Sequence, residues 1–304
     1  MRDTVINEIT SLAGRDRDVF FVTGDAGFGI LDEFQKKNAG RFLNLGVAEQ
    51  NMLSFASGLA LSGYKVFVYD IIPFLLYRCY EQVRNDVCYQ RLPVTLVGTG
   101  SGVAYAPQGV THYAVEDIAI ARTLPNLEIL SPCDQVEARS CVAYARKSLK
   151  PTYIRLSKAC EGPVHPATGR IQDITVPSVV REGGEVALLF HGSIGAEVVS
   201  ALEKTKFHPL VISTPVLNPL DAAFLAEKLR GIHTVITVEE HFVSGGLGSM
   251  IAEWKASGGL AFRLIRLGIA NEFIHAIKNN SGLRDKYGIS APKICSAIES
   301  AFAK

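Results

Sequence analysis

Runs of β-branched and aromatic residues recur along this chain, and a stretch with helical spacing follows most of them. The pattern predicts strands over 19–23, 65–71, 94–98, 127–130 and 153–156, with helices over 50–61, 74–89, 116–123 and 134–147 between them. Such alternation confines the chain to an α/β architecture, a mainly parallel sheet flanked by helices on both faces. From Cys160 to Ser178 the pattern dissolves into Gly, Pro, His and Thr, the composition of a linker. Further strands are predicted over 186–190, 209–213, 234–238 and 262–267. The expected organisation is two consecutive βα domains, 1–160 and 179–304, joined by a linker over 161–178.

Ligands of open α/β sheets bind beyond the carboxyl ends of the strands, so the strand-to-helix turns come first. In Arg41-Phe42-Leu43-Asn44-Leu45-Gly46-Val47-Ala48-Glu49-Gln50-Asn51-Met52 a strand-like run passes straight into a helix-like one. Glu49 falls in the first turn of that helix, where the helix dipole stabilises negative charge. The stretch 51–61 is almost wholly small or apolar, which predicts a deeply buried helix and an acid that needs a partner. A solvated first-turn glutamate is the plainer alternative. From Leu92 to Val115 no charged residue occurs apart from His112, counted as neutral, and Gly, Thr, Ser and Pro are frequent. That composition reads as a strand and a buried loop rather than a membrane span, and long loops of this kind are commonly functional.

Composition narrows the classes further. Lys plus Arg number 31 against 30 for Asp plus Glu, with no dense basic stripe, which argues against a nucleic-acid or acidic-membrane partner. A positive mean hydropathy with 20% charged residues fits a chain that covers part of its surface with other subunits. The six cysteines (Cys79, Cys88, Cys133, Cys141, Cys160, Cys295) show no metal-ligand spacing and read as reduced core thiols, as expected in the cytoplasm. Met1-Arg2-Asp3-Thr4 leads into no apolar run of the secretory kind, so no signal peptide is expected.

Five segments then carry a family resemblance. One is the Arg41–Met52 run. The second comprises Phe74, Arg78, Glu81-Gln82-Val83-Arg84-Asn85-Asp86 and Leu92-Pro93-Val94. The third comprises Gly109-Val110-Thr111-His112, Glu116-Asp117-Ile118-Ala119 and Leu124-Pro125-Asn126-Leu127. Glu239-Glu240-His241-Phe242 and Gly245-Gly246-Leu247-Gly248-Ser249 complete the set. In this order and spacing they resemble thiamine-diphosphate-dependent transketolases over nearly the whole chain. The likeness is strongest to the separate C-terminal subunit of split enzymes, where a pyrimidine-binding fold precedes a small C-terminal fold.

The resemblance implies site roles. The glutamate matching Glu49 bonds a nitrogen of the cofactor's aminopyrimidine and favours the tautomer that activates the thiazolium ring, so the protein positions and the cofactor reacts. Phe74 would stack on the pyrimidine, or Leu75 if the register differs by one, and Arg78 belongs to the same cofactor-facing motif. His112 matches a histidine that exchanges protons or hydrogen bonds with substrate. Asp25 matches an acid near the cofactor, although a turn role explains it equally well. For His191 and His241, turn or interface roles suffice. Gly245–Ser249 offers a helix N-terminus for an anion, but close backbone packing is the favoured reading.

Departures from the family matter as much. Gly24-Asp25-Ala26-Gly27-Phe28-Gly29 is not the Gly-Asp-Gly motif with its later Asn that holds magnesium and diphosphate. The resemblance therefore implies that thiamine diphosphate and Mg2+ are gripped by an N-terminal diphosphate-binding partner subunit, in an α2β2 assembly. Where ordinary transketolases recognise sugar hydroxyls with an acid and a second histidine, this chain has Gln108 and Gly100. Donor discrimination should change accordingly. Lys158 replaces a phosphate-binding arginine, with Arg155 nearby, which loses the bidentate fork. The expected reaction is transfer of a two-carbon ketol or acyl unit from a ketose or 2-oxo donor to an aldehyde or ketone. The rivals are a 2-oxoacid dehydrogenase β subunit, a deoxyxylulose-phosphate-synthase-like enzyme using pyruvate, and a non-catalytic regulatory subunit.

Overall fold

Twelve short strands form among the described residues, which in this computed structural model are 1–158, 162–167 and 171–303. Cys160 and part of the expected linker lie outside them. The first seven-stranded sheet contains β1 (Val19–Thr23), β2 (Phe42–Asn44), β3 (Lys65–Ile71), β4 (Val94–Thr99), β5 (Glu128–Leu130) and β6 (Thr152–Leu156). The second, five-stranded sheet contains β7 (Ser178–Arg181), β8 (Val186–Phe190) and β9 (Leu210–Ser213), with β11 (Thr234–Phe242) and β12 (Arg263–Ile269). β10 (Val216–Asn218) comes from the second half of the chain yet joins the first sheet, antiparallel to β5. The strand orders are β10-β5-β6-β4-β3-β1-β2 and β12-β11-β8-β9-β7.

Apart from β10 and β7, every neighbouring pair is parallel. Parallel strands are covered on both faces and need near-continuous apolar side chains. β4, β6 and β8 meet that demand, buried along their whole length. On one side, Val5, Ile6 and Ile9 of the helix Arg2–Ala13 pack with Ala138, Cys141 and Val142 of the helix Gln135–Lys147. Asp134 caps the latter helix, accepting from the N–H groups of Val136 and Glu137. The sequence does not signal the helix Arg2–Ala13, because its polar residues dilute the apolar period.

Two expectations about helices change. The stretch predicted as one helix over 74–89 is divided: π turns at Pro73–Tyr77 and Val83–Cys88 flank the short helix Tyr80–Gln82. Arg78 N–H donates to Pro73 O, a five-residue step that widens the turn and re-aims the side chains around it. The helix Glu49–Leu61 is not buried all round. Met52, Leu53, Ala56, Ser57 and Ala60 face the core, while Phe55 and Leu61 are 40% and 64% exposed.

Candidate active site

β2 ends at Asn44, Gly46 takes a left-handed turn at φ +69°, and Glu49 opens the next helix. Its side chain is only 4% exposed, and its partner is Arg78, whose guanidinium donates to Oε1 at 2.6 Å. The guanidinium carbon of Arg78 also sits 4.6 Å from the centre of the Phe74 ring. Phe74 meets His112 edge-on at 5.2 Å between centroids, and His112 lies 5.7 Å from Tyr105. The Lys158 ammonium caps the far side, 4.6 Å from the centre of the Tyr105 ring. Residues from four separate segments thus form one unbroken line of contacts from Glu49 to Lys158, beyond the carboxyl ends of β2, β3, β4 and β6.

The line has a defined electrostatic character. His112 is half-buried, and burial, assisted by the Lys158 charge, holds its imidazole below the ordinary value, hence neutral at pH 7. Its Nδ1 lies 2.9 Å from Thr111 Oγ1. Phe74 keeps part of its ring accessible, whereas Leu75 is fully buried in the core beside Leu76 and Cys79. Asp25 is exposed at φ +63°, and it is tied to Asn44 by a 3.0 Å bond from its own N–H and a 3.3 Å bond to its carboxylate. Gln108 is exposed at the end of the turn that carries Tyr105.

Sequence reasoning missed Asp70, the second acid of the site. It is the penultimate residue of β3, is 1% exposed, and its Oδ1 accepts the Ile71 N–H at 2.7 Å, while its Oδ2 is buried with no partner among the described residues. A Cβ on Gly24 would lie 2.5 Å from that Oδ2 and 3.2 Å from Glu49 Cγ, so the bare glycine lets the two acids close around it. Burial, with the Glu49 charge adding to it, pushes Asp70 up to about 7. An acid at the carboxyl end of a buried parallel strand was the available signal.

Arg155, expected beside Lys158 at the site, lies elsewhere. It is 2% exposed and does not reach the surface beside Lys158. Its guanidinium bonds Asp117 at 2.7 Å and the carbonyls of Ala114 and Glu240 at 2.9 and 3.0 Å, which joins the first sheet to β11. A fully buried arginine beside a buried acid is consumed by that pairing. His191 and His241 are buried at the same junction, the first 2.9 Å from Ser131 Oγ, the second accepting from the Ala119 N–H at 3.4 Å. In the glycine run, Glu239 accepts from the N–H groups of Leu247 and Gly248, both at 2.8 Å. A Cβ on Gly246 would stand 1.9 Å from that carboxylate, so this helix start is filled by the protein's own acid.

Comparison with known proteins places these features in a family. The pyrimidine-binding domain of transketolase matches residues 1–160, and the transketolase C-terminal domain matches 177–294. An apulose-4-phosphate transketolase subunit of Actinobacillus succinogenes is 35% identical over 267 residues, covering 86% of this chain and 85% of that protein. The 1-deoxy-D-xylulose-5-phosphate synthase of Caldanaerobacter subterraneus is 31% identical over 95% of this chain and 47% of its own length. A split-gene transketolase solved as an inactive β4 tetramer superimposes with a TM-score of 0.87 at 29% identity, covering 99% of this chain and 97% of its own. Both domains and their order agree, so the chain belongs to the transketolase family, whose membership implies thiamine diphosphate as cofactor, and carries that family's pyrimidine-binding and C-terminal domains.

Proposed function

We propose that this chain is the pyrimidine-side subunit of a two-component, thiamine-diphosphate-dependent enzyme. The enzyme moves a two-carbon ketol or acyl unit from a ketose or 2-oxo donor to an aldehyde or ketone acceptor. One observation carries the reading: a buried Glu49, fixed by Arg78, stands next to a half-exposed Phe74 and a neutral His112.

The residues fit the pyrimidine end of the cofactor. Glu49 offers a desolvated carboxylate at a helix start, and Phe74 offers an accessible ring worth about 1 kcal/mol in stacking beyond its area. The burial of Leu75 in the core supports Phe74 in that role. When bound, thiamine diphosphate supplies the electron sink for breaking and making a bond beside a carbonyl. Glu49 would face the pyrimidine and share a proton with it, and Arg78, bonded to its Oε1 at 2.6 Å, would keep the carboxylate from rotating away. His112, neutral at pH 7, would donate its ring N–H to the oxygen of the reacting carbonyl. Asp25 stands on the loop after β1, bonded to Asn44 at the end of the strand that leads to Glu49, and is assigned to the cofactor side on the family resemblance.

Diphosphate and Mg2+ are assigned to a partner subunit, because the sequence carries no Gly-Asp-Gly motif with its later Asn. Exposed apolar side chains support such a partner: Phe28, Val47, Phe55 and Val110 are 106%, 75%, 40% and 57% exposed, on the loops and helix that carry Asp25, Glu49 and His112. The assembly is an α2β2 heterotetramer acting in the cytoplasm. The test is turnover of the reconstituted complex with Glu49→Gln, which keeps the shape and removes the acid. Loss of at least about a hundredfold in kcat is expected, and near-full turnover refutes the assignment.

A further inference from the structure

The reaction class leaves open which donor the site accepts, and the contacts around Gly100 address that. Gly100 follows β4 with φ +91°, where its N–H donates to Leu156 O at 2.8 Å. A Cβ at this position would stand 2.2 and 2.4 Å from Cε2 and Cδ2 of Tyr105. The Tyr105 ring therefore occupies the space that a side chain at 100 would use. It is 8% exposed, so it is packed in place. The same ring carries Lys158 on its face at 4.6 Å and has His112 at 5.7 Å. Gln108, at the end of the same turn, is exposed.

We propose that Tyr105 is a specificity-determining residue of the donor pocket, closing the space above Gly100 to the hydroxyl-bearing tail of a ketose and holding Lys158 beside His112 to receive the carboxylate of a short 2-oxo acid. This rests on the thiamine-dependent reading above. Gly100 brings no side chain that can bond a sugar hydroxyl, and an aromatic ring in its place leaves such a hydroxyl desolvated and unpaired. A lysine held on an aromatic face keeps its charge aimed without a bidentate fork, which suits a single small anion. Lys158 is exposed on its outer side, so the anion needs no burial without compensation.

The experiment uses the complex of this chain with its diphosphate-binding partner, loaded with thiamine diphosphate and Mg2+. Donor consumption is followed by ferricyanide reduction, which needs no aldehyde acceptor. Pyruvate presents a carboxylate and no hydroxyl, and fructose 6-phosphate presents hydroxyls and a phosphate. Wild type is expected to favour pyruvate in kcat/KM by about tenfold or more. Tyr105→Leu should reduce that preference about tenfold, chiefly through KM, and Tyr105→Phe should leave it unchanged because the ring, not the hydroxyl, fills the space. Lys158→Met, at an exposed position that does not threaten folding, should raise the pyruvate KM about tenfold with kcat little changed. A wild-type preference for the ketose phosphate overturns the proposal and assigns Lys158 to phosphate. A pyruvate KM within about twofold of wild type in both Tyr105→Leu and Lys158→Met overturns it as well. Absence of turnover with both donors, together with failure of the complex to bind thiamine diphosphate, refutes the thiamine-dependent reading itself; absence of turnover by a complex that binds the cofactor overturns the donor assignment alone.

Discussion

Asp70→Asn should stabilise the protein at pH 8 more than at pH 5. The folded state sets Asp70 among the charges of Glu49, Asp25 and Arg78, and leaves Oδ2 buried without a partner among the described residues. Burial raises this carboxyl from its ordinary 3.8 to about 7. A raised folded value means that the native state resists ionisation while the unfolded chain ionises freely. The stability linked to the neutral acid is thus complete below the ordinary value and is lost as pH rises through the window up to about 7. About three units at about 1.36 kcal/mol each put the loss near 4 kcal/mol, reached by pH 8 and only partly incurred at pH 5. Asparagine keeps the acceptor for the Ile71 N–H but buries an unpaired amide N–H2, at a cost of about 1–3 kcal/mol that does not depend on pH. The difference between variant and wild type should therefore move by about 2–3 kcal/mol in the variant's favour from pH 5 to pH 8. At roughly 2–4 °C per kcal/mol for a chain of this size, that is about 5–10 °C in relative Tm. Thermal unfolding of both proteins at the two pH values measures it. An equal Tm difference at pH 5 and pH 8 refutes the reasoning, because it means Asp70 is already ionised or solvated in the native state.

Other outcomes follow from the same geometry. Gly246→Ala drives a methyl into the Glu239 carboxylate and should destabilise the C-terminal domain by about 1–3 kcal/mol, read as a lower urea midpoint. His112 must be neutral to serve, so kcat/KM should fall at low pH, with its limb below the ordinary histidine value; Lys158→Met removes one cause of that lowering and should move the limb to higher pH. Arg155→Met leaves Asp117 buried without its cation and should cost about 3–5 kcal/mol of stability, whereas a substrate-binding arginine lost from the surface would alter KM and leave Tm in place.

Most parallel strands of both sheets were legible because burial on two faces demands apolar β-formers, and β1, β3 and β8 fall where those runs lie, whereas the half-buried, antiparallel β7 went unread at the end of the expected linker. β10 was not legible: three residues between two prolines carry no period, and the strand exists because β5 has an open edge. The π turns around Phe74 and Arg78 escaped for a related reason. Their sequence is helical in type, and the extra residue per turn comes from the tertiary demand that Phe74 face the site while Leu75 faces the core. Glu49, Arg78, Phe74 and His112 were accessible through the family motifs, and the structure brings them into contact. Arg155 misled because a buried ion pair with a distant acid leaves no local trace in sequence. Asp70 and Tyr105 were missed because their significance lies in what they oppose across Gly24 and Gly100. The cluster of Cys133, Glu137 and His165, with ligand atoms within 4.8 Å, likewise depends on His165 folding back from the linker onto Asp134.

The central claim is that this chain grips the ring end of thiamine diphosphate while another polypeptide grips the charged end. Calorimetric titration of Mg2+ and thiamine diphosphate into the isolated chain, and into the chain with its partner, tests that division directly. Affinity weaker by at least about a hundredfold for the isolated chain, together with tight binding by the pair, is the expected result. Tight binding of cofactor and metal by the isolated chain contradicts it.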